Sequence, residues 1–161
     1  MIVTFAYHGQ QVALEARSLE GEERVAAGLC LDLDLFAGEP VALDKLMGQS
    51  CVIELIGELS QRRIFGVVTE ATAIATSMRR GERRYRVRVR SALARLALGQ
   101  RCRVFQHLTA VEIIEQVAAD HGLSISRELT GGYPKRRYVT QYLESDAVFI
   151  RRICEREGLW W

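Results

Sequence analysis

Apolar and polar residues alternate along two stretches of the chain with the two-residue period of a half-buried β-strand. Residues 29–35 place leucines on one face and aspartates on part of the other, and residues 84–90 alternate arginine with tyrosine or valine. Shorter apolar runs at residues 3–7, 51–56 and 63–69 are also typical of strands. Several short strands with turn residues between them predict a barrel or sandwich in the first part of the chain.

Beyond about residue 91 the pattern becomes helical. Thr109 and Glu112 have the spacing of a capping box, and apolar residues follow at helical intervals until Gly122, a natural helix stop. A second helix is expected after a strand at residues 138–142, capped by Ser145 or Asp146. Gly158 is expected to end this second helix.

These patterns predict an α+β fold that is mainly β. Residues 1–95 are expected to form a β-barrel, and residues 96–161 to begin a small α+β domain. A short turn of helix or a loop is expected at residues 43–48.

Composition narrows the function classes. The chain has 161 residues, of which 48% are hydrophobic, with a net charge of +2 and a pI near 8.4. A general nucleic-acid-binding domain is usually far more basic, so that class is not favoured. The four cysteines are widely spaced and only three histidines are present, so no metal or cofactor is expected. We find neither a secretory signal pattern nor an apolar stretch of membrane-spanning length.

No catalytic motif stands out. His8, His107 and His121 lie far apart in the sequence. Cys102 and His107 are a conceivable nucleophile and base, although a buried structural thiol is the simpler interpretation of this cysteine. Glu144 and Asp146 could form a carboxylate pair, but they flank a helix start, where acidic residues cap the helix and complement its dipole.

The strongest charge anomaly is a run of arginines whose last members line one face of a predicted strand. A row of like charges repels itself unless acidic groups face it. Three interpretations are open: a phosphate-binding face for nucleic acid, a contact surface for an acidic partner protein, or a solvated face paired with neighbouring carboxylates. The run consists of Arg79, Arg80, Arg83, Arg84, Arg86, Arg88 and Arg90.

A set of short motifs is spread over nearly the whole chain and is most specific near its end, where QYLESD is followed by a phenylalanine and by EREG. The motif residues are Phe65, Gly66, Phe105, Gln106, Gln141, Tyr142, Glu144, Ser145, Asp146, Phe149, Glu157 and Gly158. Their order resembles the N-terminal region of VgrG (valine-glycine repeat) proteins, the spike proteins of bacterial type VI secretion, which is related to phage tail hub and late control D proteins.

The resemblance implies a structural role without catalysis. It implies that three copies form a ring of tube-protein-like β-barrels that caps the tube of Hcp (haemolysin-coregulated) subunits and carries a puncturing spike. Baseplate and effector proteins would be further partners, with no membrane anchor. Candidate interface residues, at a subunit or tube contact, are Arg84, Arg86, Arg88 and Arg90.

The resemblance also implies that the chain is a fragment of a longer one. In the family an aromatic strand follows the glycine after the last helix, and Leu159, Trp160 and Trp161 look like its first residues. Assembly is expected in the bacterial cytoplasm, with export by the apparatus itself and no signal peptide. A phage tail hub, or a nucleic-acid-binding module that uses the arginine run, remains the alternative.

Overall fold

The structure is a computed structural model that describes residues 2–7, 10–56, 61–76 and 83–161. The chain divides into two compact units, Met1–Ala92 and Leu93–Trp161. The described elements are β1 (Ile2–Tyr7), β2 (Gln10–Arg24), β3 (Gly28–Ala37), α1 (Leu43–Leu46), β4 (Ser50–Ile56), β5 (Gln61–Thr76), β6 (Arg83–Arg90), a 3-10 helix (Ala92–Ala97), β7 (Arg101–Leu108), α2 (Ala110–Ala119), β8 (Arg136–Glu144) and α3 (Asp146–Glu157).

The strands of the first unit form a closed barrel in the order β1-β2-β3-β6-β5-β4. Each neighbouring pair is antiparallel, and β1 closes the sheet by pairing with β4. Because a closed barrel has no free edge strand, the backbone groups of the sheet are satisfied internally. The barrel predicted from the alternating pattern is therefore confirmed.

The two clearest alternating segments lie side by side and fill the barrel. Leu33 of β3 is opposite Val87 of β6, and both side chains are fully buried. Burial of each such side chain stabilises the fold by about 1.5–3 kcal/mol. Tyr85 also points inward, and its hydroxyl accepts a hydrogen bond from the Val41 backbone N–H at 3.1 Å. Every second residue of β3 and β6 therefore faces outward.

The long strand β2 was not predicted. Its second half contains Gly21 among several glutamates, and this composition hides the two-residue period. Gly21 has φ +147°, and a Cβ at this position would lie 2.1 Å from the carbonyl oxygen of Cys30 on β3. Only glycine permits this close approach of the two strands.

The second unit packs two helices on one face of the antiparallel pair β7–β8. Phe105 of β7 stacks on Phe149 of α3 with ring centroids 5.4 Å apart, and Ile113 and Val117 of α2 belong to the same core. The capping box at Thr109 is present as predicted. The last helical residue of α2 is Ala119, and the predicted stop at Gly122 is present: Gly122 has φ +67°, its N–H donates to the Ala119 carbonyl, and the Leu123 N–H donates to the Ala118 carbonyl.

The start and end of α3 follow the sequence signals. The Ser145 side chain accepts a hydrogen bond from the Val148 N–H and caps the helix. Gly158 adopts the left-handed conformation with φ +69° and ends the helix. Both positions use residue types that suit helix termini.

Candidate functional site

Four arginines form a row on the outside of the barrel, and we call Arg84, Arg86, Arg88 and Arg90 the arginine ladder. Their strand, β6, buries Tyr85, Val87 and Val89 on the opposite face. Side chains alternate across a strand, so the ladder must face away from the barrel core. The structure thus places all four predicted interface residues on one surface.

Carboxylates of the neighbouring strands pair with three of the four arginines. Asp34 of β3 accepts hydrogen bonds from Arg84 at 2.5 Å and from Arg86 at 3.3 Å. Arg88 donates to Asp32 at 2.8 Å and to Glu70 of β5 at 2.9 Å. Register explains these contacts, because Arg86 lies opposite Asp34 and Arg88 lies opposite both Asp32 and Glu70.

The pairing shifts the acid–base behaviour of the carboxylates. The hydrogen bond from Arg88 holds the pKa of Asp32 below its ordinary value, and the hydrogen bond from Arg84 does the same to the pKa of Asp34. Both carboxylates are therefore ionised near neutral pH and balance much of the ladder's positive charge. This arrangement matches the interpretation of a solvated face paired with acidic neighbours.

One end of the ladder differs from the rest. Arg90 is exposed and forms no ion pair with the residues that the structure describes. Arg79 and Arg80 lie outside the described residues. Among the four ladder arginines, Arg90 is therefore the one whose charge no described carboxylate balances.

A second polar cluster is buried in the other unit, centred on Asp146, and we call it the Asp146 network. The Asp146 side chain is 1% exposed. One carboxylate oxygen accepts hydrogen bonds from Arg103 at 2.5 Å and from the Gln141 amide at 2.7 Å. The other oxygen lies 2.6 Å from Nε2 of His121 and 3.6 Å from Arg101.

Further bonds extend the network to every element around it. Arg103 also donates to the Gln141 side-chain oxygen at 2.9 Å and to Asp120 at 2.6 Å. The Gln141 amide reaches the backbone carbonyl of Glu144 at 3.0 Å. The network thus links β7, the end of α2, β8 and the start of α3.

The charge of Asp146 is stabilised despite its burial. Burial by itself raises the pKa of this carboxyl group. The hydrogen bonds from His121 and Gln141, together with the charges of Arg103 and Arg101, outweigh that effect and lower the pKa below its ordinary value. A buried carboxylate with this many partners is a structural anchor for the turn between β8 and α3.

Most of the other motif residues also hold local structure in place, by ion pairs near the chain end and by close packing at Gly66. Glu144 pairs with Arg152 at 2.5 Å, and Glu157 pairs with Arg136. Gly66 of β5 faces the barrel interior, where a Cβ would lie 2.3 Å from Cγ1 of Val89. These residues fix local geometry and need no ligand to explain them.

Three motif residues lie on the surface instead. Phe65 is 68% exposed and Tyr142 is 71% exposed, and Gln106 is exposed as well. Large exposed apolar side chains are common binding residues when they cluster. The structure gives these three side chains no role in the core of either unit.

The structure does not bring together the conceivable catalytic pair. Cys102 and His107 are five residues apart on β7, a separation of about 17 Å in an extended strand. Cys102 Sγ instead lies 3.4 Å from the Leu143 backbone N–H. His8 lies outside the described residues.

Within the described ranges, no group of three or more histidine, cysteine, aspartate or glutamate side chains could hold a metal ion. Among the described helices, none combines the length and the apolar character that crossing a bilayer requires.

The sequence identified the candidate residues of the arginine ladder and of the Asp146 network, but not the side chains that pair with them. Asp32 and Asp34 were visible as alternating aspartates, but their pairing with β6 depends on strands about fifty residues apart. Asp146 is at the helix start where a capping carboxylate was predicted, and His121 follows the end of α2, yet the two side chains meet in one buried network. The sequence pattern that could have indicated this contact is the presence of charged and amide side chains, such as Arg103 and Gln141, within otherwise apolar strands.

Comparison with known proteins agrees with this architecture. Residues 9–161 match the phage tail baseplate hub (GPD) family. The chain is 32% identical over 152 residues to the type VI secretion system spike protein VgrG1c of Pseudomonas aeruginosa, which covers 92% of this chain and 20% of that protein. The chain thus spans about a fifth of the length of that relative.

Solved structures share the fold. The E. coli c3393 protein matches with a TM-score of 0.85 and 24% identity, over 98% of this chain and 44% of that chain. That protein is a component of the type VI secretion system and is structurally similar to the T4 bacteriophage tail proteins gp27 and gp5. The 43 kDa tail protein of prophage MuSo2 from Shewanella oneidensis matches with a TM-score of 0.66 and 15% identity over 98% of this chain and 50% of that chain. Because the family model matches residues 9–161, which is nearly the whole chain, the chain belongs to the phage tail baseplate hub (GPD) family.

Proposed function

We propose that this chain acts by assembly, as part of the structural hub of a type VI secretion apparatus. In this proposal three copies form a ring that caps the Hcp tube and carries the spike, with baseplate and effector proteins as further partners. The observation that carries the proposal is the closed barrel followed by the second unit, which together match the c3393 protein over 98% of the chain. Large interfaces and symmetry are the general expectation for such a component.

The surface chemistry supports assembly over nucleic-acid binding. A phosphate-binding surface needs cations whose charge is available to the ligand. Three members of the arginine ladder are instead paired with carboxylates of β3 and β5. We therefore propose a protein contact at the exposed end of the ladder, around Arg90.

We also propose that the protein assembles in the bacterial cytoplasm and leaves the cell through the apparatus without a signal peptide. The resemblance to secretion spike proteins supports this route.

A chimera tests the proposed role. The region of P. aeruginosa VgrG1c that aligns with this chain would be replaced by it, and the mass of the purified chimera measured by light scattering. We expect a trimer that retains Hcp in pull-down. Arg90→Glu should weaken one of these two contacts, whereas Arg156→Glu on the exposed side of α3 is the matched control. A well-folded chimera that stays monomeric would refute the ring.

A phage tail hub is the second candidate, favoured by the match to the prophage tail protein. Binding of the chimera to a phage tail tube protein, with no retention of Hcp, would support this candidate over the secretion hub.

A further inference from the structure

No further inference is drawn: the strongest candidate, the exposed surface patch of Val104, Tyr138 and Tyr142 on the face of the β7–β8 sheet turned away from α2 and α3, carries nothing because nothing in the structure shows what covers it.

Discussion

Replacing Asp146 by asparagine tests whether the Asp146 network stabilises the second unit. The substitution keeps the size of the side chain and removes its charge. The carboxylate is 1% exposed and has four polar partners, so the change leaves Arg103 and Arg101 with Asp120 as their described counter-charge. Removing one member of a buried ion pair typically costs about 3–5 kcal/mol.

The expected cost here lies below that range. Arg103 keeps its hydrogen bonds to Asp120 and to Gln141, and its side chain is 21% exposed, so water offsets part of the loss. We therefore expect the free energy of unfolding to fall by about 2–3 kcal/mol. Glu155→Gln, an exposed position on α3, is the matched control and should change stability by less than about 0.5 kcal/mol.

Urea unfolding followed by tryptophan fluorescence measures the change in the free energy of unfolding of the second unit. The chain has two tryptophans, Trp160 and Trp161, both in the second unit. The pH dependence supplies a further check. Because the folded-state pKa of Asp146 is lowered, its stabilising effect is complete above the unfolded pKa of about 3.9 and is lost as the pH falls through the folded value. A loss below about 0.5 kcal/mol at pH 7, or a difference independent of pH down to pH 2, would refute the reasoning.

Three further predictions follow from local geometry. Gly66→Ala should destabilise the barrel by about 2–3 kcal/mol in thermal or urea unfolding, since the new Cβ would lie 2.3 Å from Val89, whereas Gly38→Ala, with nothing within 4 Å, should be nearly neutral. Ser145→Ala should cost about 1 kcal/mol by loss of the helix cap, and an unchanged urea midpoint would contradict that role. A thiol reagent at pH 8 should label exposed Cys102 first and leave Cys51 unreacted in the folded state, because burial raises the pKa of the Cys51 thiol to about 12; equal rates in mass spectrometry would argue against this burial.

The internal pairing of the arginine ladder changes how such rows should be interpreted. Four arginines on one strand face would repel each other if left alone. In the barrel, aspartates on β3 and a glutamate on β5 flank them, and most of the ladder is a structural element. Function is therefore better sought where the pairing stops, at Arg90, than along the whole row.

The sequence by itself determined the local elements. Alternation at residues 29–35 and 84–90 predicted β3 and β6, because a two-residue period can bury one face of a strand only. Helix-capping residues predicted the start of α2 and both ends of α3, since these signals act within a few residues. Charged residues and glycine hid β2, whose strand conformation depends on pairing with β1 and β3.

Only the tertiary structure decided which of these elements meet. Closure of the barrel between β1 and β4, and the register that places Arg88 between Asp32 and Glu70, join residues distant in the chain. The Asp146 network likewise collects side chains from four separate elements. The two-residue period of a strand does not identify its partner strand, because hydrogen-bond register is set by the packing of the whole sheet and not by the strand alone.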